Sequence, residues 1–216
     1  MTTINLTKNE EKRLGSVGFL VKYPKGQIIF TAGQRTNEVY FIKSGWVRIY
    51  RTISDGRQVT VALRYPGDFI GLAEIFSGTG RECCAEAMDD VSLYIIWGEE
   101  FKRLLAESPE FSAKIMQLMG ARLRESQNTI HDFISNHVHG RLALVLKNMA
   151  ERSGKVKDDI IHVRLRITQE ELACMVGAAR QTVSSTLTLF KEEGCIIYEG
   201  RDIVAVNPQK LASWIE

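Results

Sequence analysis

The chain has 216 residues, which is enough for one large domain or for two modest domains that each bury a core. Its 44% hydrophobic and 25% charged residues are typical of a globular protein, and its net charge of +2 excludes nucleic-acid binding through bulk positive charge alone. No apolar run approaches the roughly 18 residues of a membrane-spanning helix, and the polar segment Met1–Arg13 lacks the apolar core of a signal peptide. We therefore expect a cytoplasmic protein with no membrane partner.

The four cysteines show no CxxC spacing and no cluster with histidine, and they are Cys83, Cys84, Cys174 and Cys195. This pattern predicts neither a zinc site nor a disulfide framework. A reduced compartment is consistent with it.

Residues from about Tyr23 to Trp97 have the punctuation of a β-domain. Turns with glycine or proline separate short runs rich in β-branched and aromatic residues, such as Val39–Ile42 and Trp46–Tyr50. Ser54–Gly56 lies between two such runs and predicts a hairpin turn, because glycine tolerates the positive φ that hairpin turns require. Several short strands at this spacing predict a barrel or a sandwich, with its last strand at Val91–Trp97.

Helical periodicity replaces this pattern after Trp97. A short helix is predicted at Glu99–Glu107, and Pro109 begins a long helix that ends in a hinge at Asn136–Gly140. One stripe on the long helix alternates in steps of three and four residues, and its members are Met116, Met119, Leu123, Ser126, Ile130, Phe133 and His137. This spacing is typical of a coiled-coil seam. We favour a dimer seam; the alternative is that the stripe packs on the β-domain.

A helix-turn-helix is the strongest functional pattern in the sequence. After an apolar helix around Leu142–Met149 and a half-buried strand at Ile160–Ile167, Thr168 and Glu171 form a capping-box pattern that begins a new helix. Gly177 supplies a tight turn, and a second helix follows from about Ala179 to Lys191. These are the dimensions of a DNA-binding motif.

The second helix of this motif has one apolar and one polar face. Val183, Leu187 and Phe190 stand at i, i+4 and i+7 and are predicted to face the core. Arg180 and Gln181 lie near the helix N-terminus, where arginine can pair with guanine and glutamine with adenine. The predicted DNA-binding residues are Thr168, Gln169, Arg180, Gln181, Thr182, Ser184, Ser185, Thr188 and Lys191.

A hairpin predicted around Glu199–Asp202, between the runs Cys195–Tyr198 and Ile203–Val206, makes this a winged helix. The sequence has no nucleophile elbow, phosphate loop or zinc-protease motif, so we do not expect an enzyme. The competing interpretation is a ligand-binding regulatory module that acts through a protein partner, with the terminal domain serving only as structure.

The chain resembles the cAMP receptor protein/FNR (CRP/FNR) family of bacterial regulators from about Val21 to Val206. The resemblance depends on Pro66–Gly71 (PGDFIG), Gly140–Arg141 at the hinge and Gly177–Ser184 (GAARQTVS). It implies an α+β fold with three parts: a cyclic-nucleotide-binding-like β-barrel (jelly roll) at 1–108, a dimerisation helix with hinge at 109–137, and a winged helix-turn-helix at 138–216. It also implies a homodimer that binds a two-fold-symmetric double-stranded DNA operator. RNA polymerase is the further partner that activation would require, and no motif marks such a surface.

The effector pocket departs from the family pattern. The cAMP-binding members carry a Gly-Glu pair followed by Arg-Ser-Ala, and here Gly71 and Ala85 match. Leu72 replaces the glutamate, while Cys83 and Cys84 replace the arginine and serine. Loss of the arginine removes a charge-assisted contact with the cyclic phosphate, so we expect an unidentified small-molecule effector other than cAMP. The predicted effector-binding residues are Gly71, Leu72, Glu74, Arg81, Cys83, Cys84, Ser126 and Gln127, of which Glu74 and Arg81 are candidate substitutes for the lost pair.

The other sensing modes of the family find little support in the sequence. No cysteine cluster lies near the N-terminus, as the iron–sulfur branch requires, and all four histidines lie outside the β-domain, where a haem ligand would stand. A cysteine ligand to haem and a thiol redox role for Cys83 and Cys84 remain open. For these cysteines we favour small strand residues that line or back the pocket.

Overall fold

A computed structural model of the chain describes residues 4–215. The chain divides into two compact units that meet between Ser126 and Gln127. Among the described residues, no helix is long and apolar enough to cross a membrane.

The first unit contains two antiparallel four-stranded sheets, with the strand orders β1-β8-β3-β6 and β2-β7-β4-β5. The strands are β1 Phe19–Tyr23, β2 Ile28–Phe30, β3 Glu38–Ser44, β4 Val47–Thr52, β5 Gln58–Arg64, β6 Phe69–Ile70, β7 Cys84–Ala87 and β8 Val91–Trp97. The predicted hairpin turn joins β4 to β5, where Gly56 has a φ of 84°. The last strand has the predicted bounds.

The expectation of a closed barrel is corrected in this unit. The strands form two separate sheets, because β5 and β6 each end a sheet and do not pair with one another. Side chains of both sheets meet in one core, as with Ile42 and Leu93 from one sheet and Val47 and Ala85 from the other. The sandwich, one of the two arrangements that the strand spacing predicted, is therefore confirmed, without closure into a barrel.

Helices cover the outer face of the β1-β8-β3-β6 sheet. They are α1 Lys8–Val17, α2 Leu72–Ser77, α3 Gly98–Glu107 and α4 Pro109–Ser135. Because side chains alternate along a strand, Phe41 and Ile96 point away from the inter-sheet core and pack with Leu14, Phe101 and Phe111 in a second core. The sequence patterns did not predict α1 and α2.

The long helix α4 carries two apolar stripes. Phe111, Ile115 and Leu118 are buried in the second core. Met116, Leu123 and Ile130, which stand seven residues apart, are 60–67% exposed. Packing on the β-domain and a predicted seam therefore involve different residues, although Met119 of the predicted stripe packs partly against the core.

The second unit is a helical domain with one antiparallel sheet of order β11-β12-β10-β9. Its elements are α5 Val138–Ser153, β9 Lys155–Lys157, β10 Ile160–Leu165, α6 Gln169–Val176, α7 Arg180–Glu192, β11 Ile196–Glu199, β12 Asp202–Val206 and α8 Pro208–Ala212. The order of α6, α7 and the β11–β12 hairpin is that of a winged helix-turn-helix. The predicted hinge is shorter than expected, because α5 already begins at Val138.

Candidate nucleic-acid interface and effector site

The start of α6 and the turn after it are fixed by local chemistry. The Thr168 hydroxyl accepts a hydrogen bond from the Glu171 backbone N–H at 3.1 Å, and the Glu171 carboxylate accepts one from the Thr168 N–H at 2.6 Å. This reciprocal pair satisfies two N–H groups that a helix start otherwise leaves unpaired. Gly177 ends α6 with a φ of 62°, a left-handed conformation that favours glycine, and α7 begins three residues later.

The orientation of α7 follows from its buried stripe. Val183, Leu187 and Phe190 are all buried, as predicted, together with Thr186, whose hydroxyl donates to the Thr182 carbonyl at 2.7 Å. With this stripe inward, the opposite face of α7 is presented to solvent. On α7, the predicted DNA-binding residues Arg180, Gln181, Thr182, Ser185, Thr188 and Lys191 are exposed and Ser184 is half-buried; at the start of α6, Thr168 is exposed and Gln169 is half-buried.

The side chains of this face differ in whether their hydrogen-bond donors are already used within α7. The hydroxyls of Ser185 and Thr188 donate to the carbonyls of Thr182 and Ser184, at 2.9 and 3.1 Å. Within residues 4–215, by contrast, the side chains of Arg180, Gln181 and Lys191 have no hydrogen bond or ion pair. The hydroxyls therefore present mainly acceptor lone pairs, whereas these three long side chains can donate to a partner.

The wing adds an arginine that sequence reasoning missed. Residues 200 and 201 form the turn of the β11–β12 hairpin, and the Arg201 side chain is exposed and has no bonded partner in the described part of the chain. The two acidic residues on either side of the turn are balanced by two arginines, because Arg164 forms ion pairs with both Glu199 and Asp202, and Arg166 lies 3.7 Å from Asp202. A basic residue in a predicted two-residue hairpin turn was the signal that could have identified Arg201.

Four of the eight predicted effector residues lie together, namely Gly71, Leu72, Glu74 and Arg81. This glycine has a φ of 83° and directly precedes α2, which carries Leu72 and Glu74. Leu72 is buried in the second core, and Glu74 forms an ion pair with Arg81 at 2.8 Å. Glu74 and Arg81, the candidate substitutes for the missing glutamate and arginine of the family pattern, therefore form an ion pair with each other.

Arg81 is wholly committed inside the first unit. Its side chain has no solvent exposure, and besides Glu74 it donates to the Thr36 hydroxyl at 2.9 Å and to the Glu38 carbonyl at 2.6 Å. Its guanidinium carbon lies 4.5 Å from the centre of the Phe30 ring. A Cβ at Gly71 would come within 2.5 Å of Arg81 Nη1, so glycine is required there by the arginine as well as by its φ.

The two adjacent thiols have different surroundings. Burial raises the pKa of the Cys83 thiol, while the neighbouring Arg51 guanidinium lowers it by a smaller amount. Cys84 is the first residue of β7, and its sulfur accepts a hydrogen bond from the Ala32 N–H at 3.3 Å. All four cysteines are free thiols. A raised pKa opposes formation of a reactive thiolate at Cys83.

Two further predicted effector residues lie on α4. Ser126 and Gln127 are both exposed, at the junction of the two units.

Among residues 4–215, no group of three or more His, Cys, Asp or Glu side chains is placed to hold a metal ion.

Two family models match the chain, one in each compact unit. The cyclic nucleotide-binding domain matches residues 20–108, and the Crp-like helix-turn-helix domain matches residues 140–214. These matches agree with the sandwich and the winged helix-turn-helix described above.

Similar proteins match nearly the whole chain. A Mycobacterium tuberculosis protein named CRP-like cAMP-activated global transcriptional regulator is 32% identical over 192 residues, which cover 89% of this chain and 86% of the relative. The structure of FixK2 from Bradyrhizobium japonicum has a TM-score of 0.80 at 24% identity and covers 93% of this chain and 98% of its own; this likeness concerns the fold alone. A CooA mutant from Carboxydothermus hydrogenoformans has a TM-score of 0.76 at 25% identity, with coverage of 97% and 92%.

Proposed function

Because the chain belongs to the CRP/FNR family of transcription regulators, we propose that it is a cytoplasmic homodimer that reads a two-fold-symmetric operator under the control of a small molecule other than cAMP. The observation that carries DNA reading is the face of α7, whose buried stripe turns the free donors of Arg180, Gln181 and Lys191 outward. Action through a protein partner alone would leave this face without a role.

The contacts with DNA divide by position. Arg180 and Gln181 stand at the N-terminal end of α7, the part of a recognition helix that reaches base edges in the major groove. Thr168 and Gln169 at the start of α6, and Arg201 at the wing turn, are assigned to phosphates. Base contacts supply sequence preference, whereas phosphate contacts supply affinity and salt dependence.

Dimerisation is proposed from the exposed stripe of α4. Three large apolar side chains at a spacing of seven residues fit a coiled-coil seam between two copies. A dimer would present two winged domains to two half-sites of an operator. RNA polymerase is proposed as the further partner through which such a regulator acts.

The DNA-reading proposal is tested by selection and salt titration. A duplex is selected by the full-length protein from a random-sequence pool at low ionic strength, and its affinity is then measured as salt rises. We expect the logarithm of the association constant to fall linearly with the logarithm of the salt concentration, with a slope of about −0.9 per phosphate contact. A protein that enriches no sequence and shows no salt-dependent binding would contradict the proposal.

The effector proposal is supported by the Arg81–Glu74 pair. Glu74 and Arg81 could replace the lost phosphate clamp, but they are ion-paired with each other. Arg81 also donates to the Glu38 carbonyl and lies over the Phe30 ring. The mycobacterial relative is named for activation by cAMP, so cAMP is the competing effector. Calorimetry of the full-length protein with cAMP is expected to show no binding, and micromolar binding would contradict the proposal.

A further inference from the structure

Arg141, at the start of α5, joins two segments of the second unit that are distant in sequence. Its Nε donates to the carbonyl of Val176 at 3.0 Å, and its Nη1 donates to the carbonyl of Asn136 at 2.9 Å. Val176 is the last residue of α6, and Asn136 directly follows α4. The guanidinium therefore connects the end of α4 to the helix that precedes the recognition helix.

The carbonyl of Val176 is a group that needs such a partner. The last four carbonyls of a helix have no intrahelical donor, and the C-terminal end of a helix carries partial negative charge. A cationic donor supplies the missing hydrogen bond and also interacts favourably with the partial negative charge. The planar guanidinium can address two carbonyls in different directions, which the single ammonium of lysine does poorly.

Phe133 completes this contact. The Arg141 guanidinium carbon lies 4.9 Å from the centre of the Phe133 ring. The same ring lies against Gly177, where an added Cβ would come within 3.2 Å of Phe133 Cε1. Phe133 was predicted only as a seam residue, but in the structure it contacts the turn between α6 and α7.

The absence of a side chain at Gly140 allows the start of α5 to pack closely against Asn136 and Trp214. A Cβ at this position would lie 2.8 Å from both the Asn136 side-chain oxygen and the Trp214 carbonyl. Trp214 in turn packs on Phe190 of α7, with ring centres 5.3 Å apart. The Gly140–Arg141 motif is thus in contact with residues that hold α6 and α7.

We propose that Arg141 and Phe133 are positioning residues that set the orientation in which α7 is presented to DNA. Arg141 fixes the C-terminal end of α6 to the end of α4, and the Phe133 ring supports both the guanidinium and the turn. Neither residue needs to touch DNA. The inference depends on the proposed DNA-reading function, and it assigns to that function two residues outside the motif.

The test compares operator binding with non-specific binding in the full-length protein. Arg141→Lys keeps the charge but loses the forked geometry, and we expect its affinity for the selected duplex to fall about tenfold, the size of one charge-assisted hydrogen bond. Its affinity for a scrambled duplex of equal length should change less than about twofold, because phosphate contacts tolerate a misoriented helix. The ratio of operator affinity to scrambled affinity should therefore fall in Arg141→Lys. Phe133→Leu is expected to reduce this ratio by a smaller factor.

A destabilised control separates positioning from folding. Met149→Ala removes a buried side chain of α5 outside this contact, and it should lower the melting temperature while leaving the ratio of operator to scrambled affinity unchanged. If Arg141→Lys and Phe133→Leu also leave that ratio unchanged, the positioning role is wrong. If Arg141→Lys does not fold, Phe133→Leu alone decides. Because Phe133 also belongs to the predicted seam stripe, its ratio is compared with the wild type only at an oligomeric state that sedimentation shows to be the same. A wild-type protein that binds no DNA would overturn the proposed function itself, which distinguishes the two failures.

Discussion

Three arginines show how the surroundings of a side chain decide what it can do. Arg81 is buried and has a carboxylate, a hydroxyl, a carbonyl and a ring as partners, so it is a structural cation of the first unit. Arg180 is exposed without a partner among the described residues and is available to a ligand. Arg141 lies between these extremes, because its donors are used by backbone carbonyls that it holds in place.

Arg180→Ala is expected to lower discrimination at one operator base position by about 1–3 kcal/mol, because a bidentate contact with guanine is lost. Arg201→Ala is the matched comparison: it should weaken binding to all sequences and reduce the salt slope by about 1. Competition assays with single-base variants of the selected duplex measure both effects. An unchanged base preference in Arg180→Ala would show that its assigned role is wrong.

Tyr40→Phe tests the interior around Arg81 through pH. Burial, reinforced by the charge of Glu38, raises the Tyr40 pKa from 10.0 to about 12. The unfolded chain thus loses this proton at a lower pH than the folded chain, and stability present below pH 10 is lost as pH rises towards 12. The wild type should lose roughly 2–3 kcal/mol more than the variant across this window. Denaturant unfolding at several alkaline pH values measures the difference, and parallel curves would contradict it.

The elements that could be predicted from sequence are those whose chemistry is local. The α6 cap depends on two residues three apart, and the buried stripe of α7 depends on helical spacing. The helix α1 was missed because its sequence is mostly polar and only Leu14 is fully buried, while α2 is a helix of six residues.

The contacts that could not be predicted depend on the course of the chain between the two partners. Arg141 and Val176 are 35 positions apart, and nothing in the local pattern of either residue indicates the other. Arg81 and Glu74 are only seven positions apart, but Arg81 lies in the loop between α2 and β7, whose course the turn residues do not determine. For the candidate site, the exposed face of α7 could therefore be outlined from sequence, whereas the contacts of Arg81 and Glu74 required the fold.

The capping boxes of α1 and α6 provide a prediction at the scale of a helix. Thr168→Ala removes the acceptor for the Glu171 N–H and should lower the free energy of unfolding by about 1 kcal/mol. Thr7→Ala removes the same interaction with Glu10 in the first unit and should cost a similar amount. Only Thr168→Ala should also weaken operator binding, and Thr168→Ser should preserve both properties. Thermal melting with parallel DNA titration measures this, and an unaffected Thr168→Ala would mean that the cap contributes nothing.

At the scale of the whole molecule, the modest net charge of +2 limits what a single DNA-binding unit can achieve. Affinity from bulk charge is weak, so occupancy of an operator depends on a small reading face. Joining two such faces makes the second binding event intramolecular, and this raises affinity without any new contact. The exposed stripe of α4 is the feature of the chain that can provide this second face.

Leu123→Glu, in the middle of that stripe, is therefore expected to convert a dimer into a monomer, because burial of unpaired carboxylates in an apolar seam is unfavourable. Val156→Glu is the control, since Val156 is an exposed apolar residue of the winged domain outside the stripe, 74% exposed against 63% for Leu123. Sedimentation should give a monomer only for Leu123→Glu, and its affinity for the selected duplex should fall about 100-fold or more through loss of the second half-site. A protein that stays dimeric with glutamate at position 123 would place the interface elsewhere. A wild-type monomer that still selects a symmetric operator would remove the role of the α4 stripe altogether.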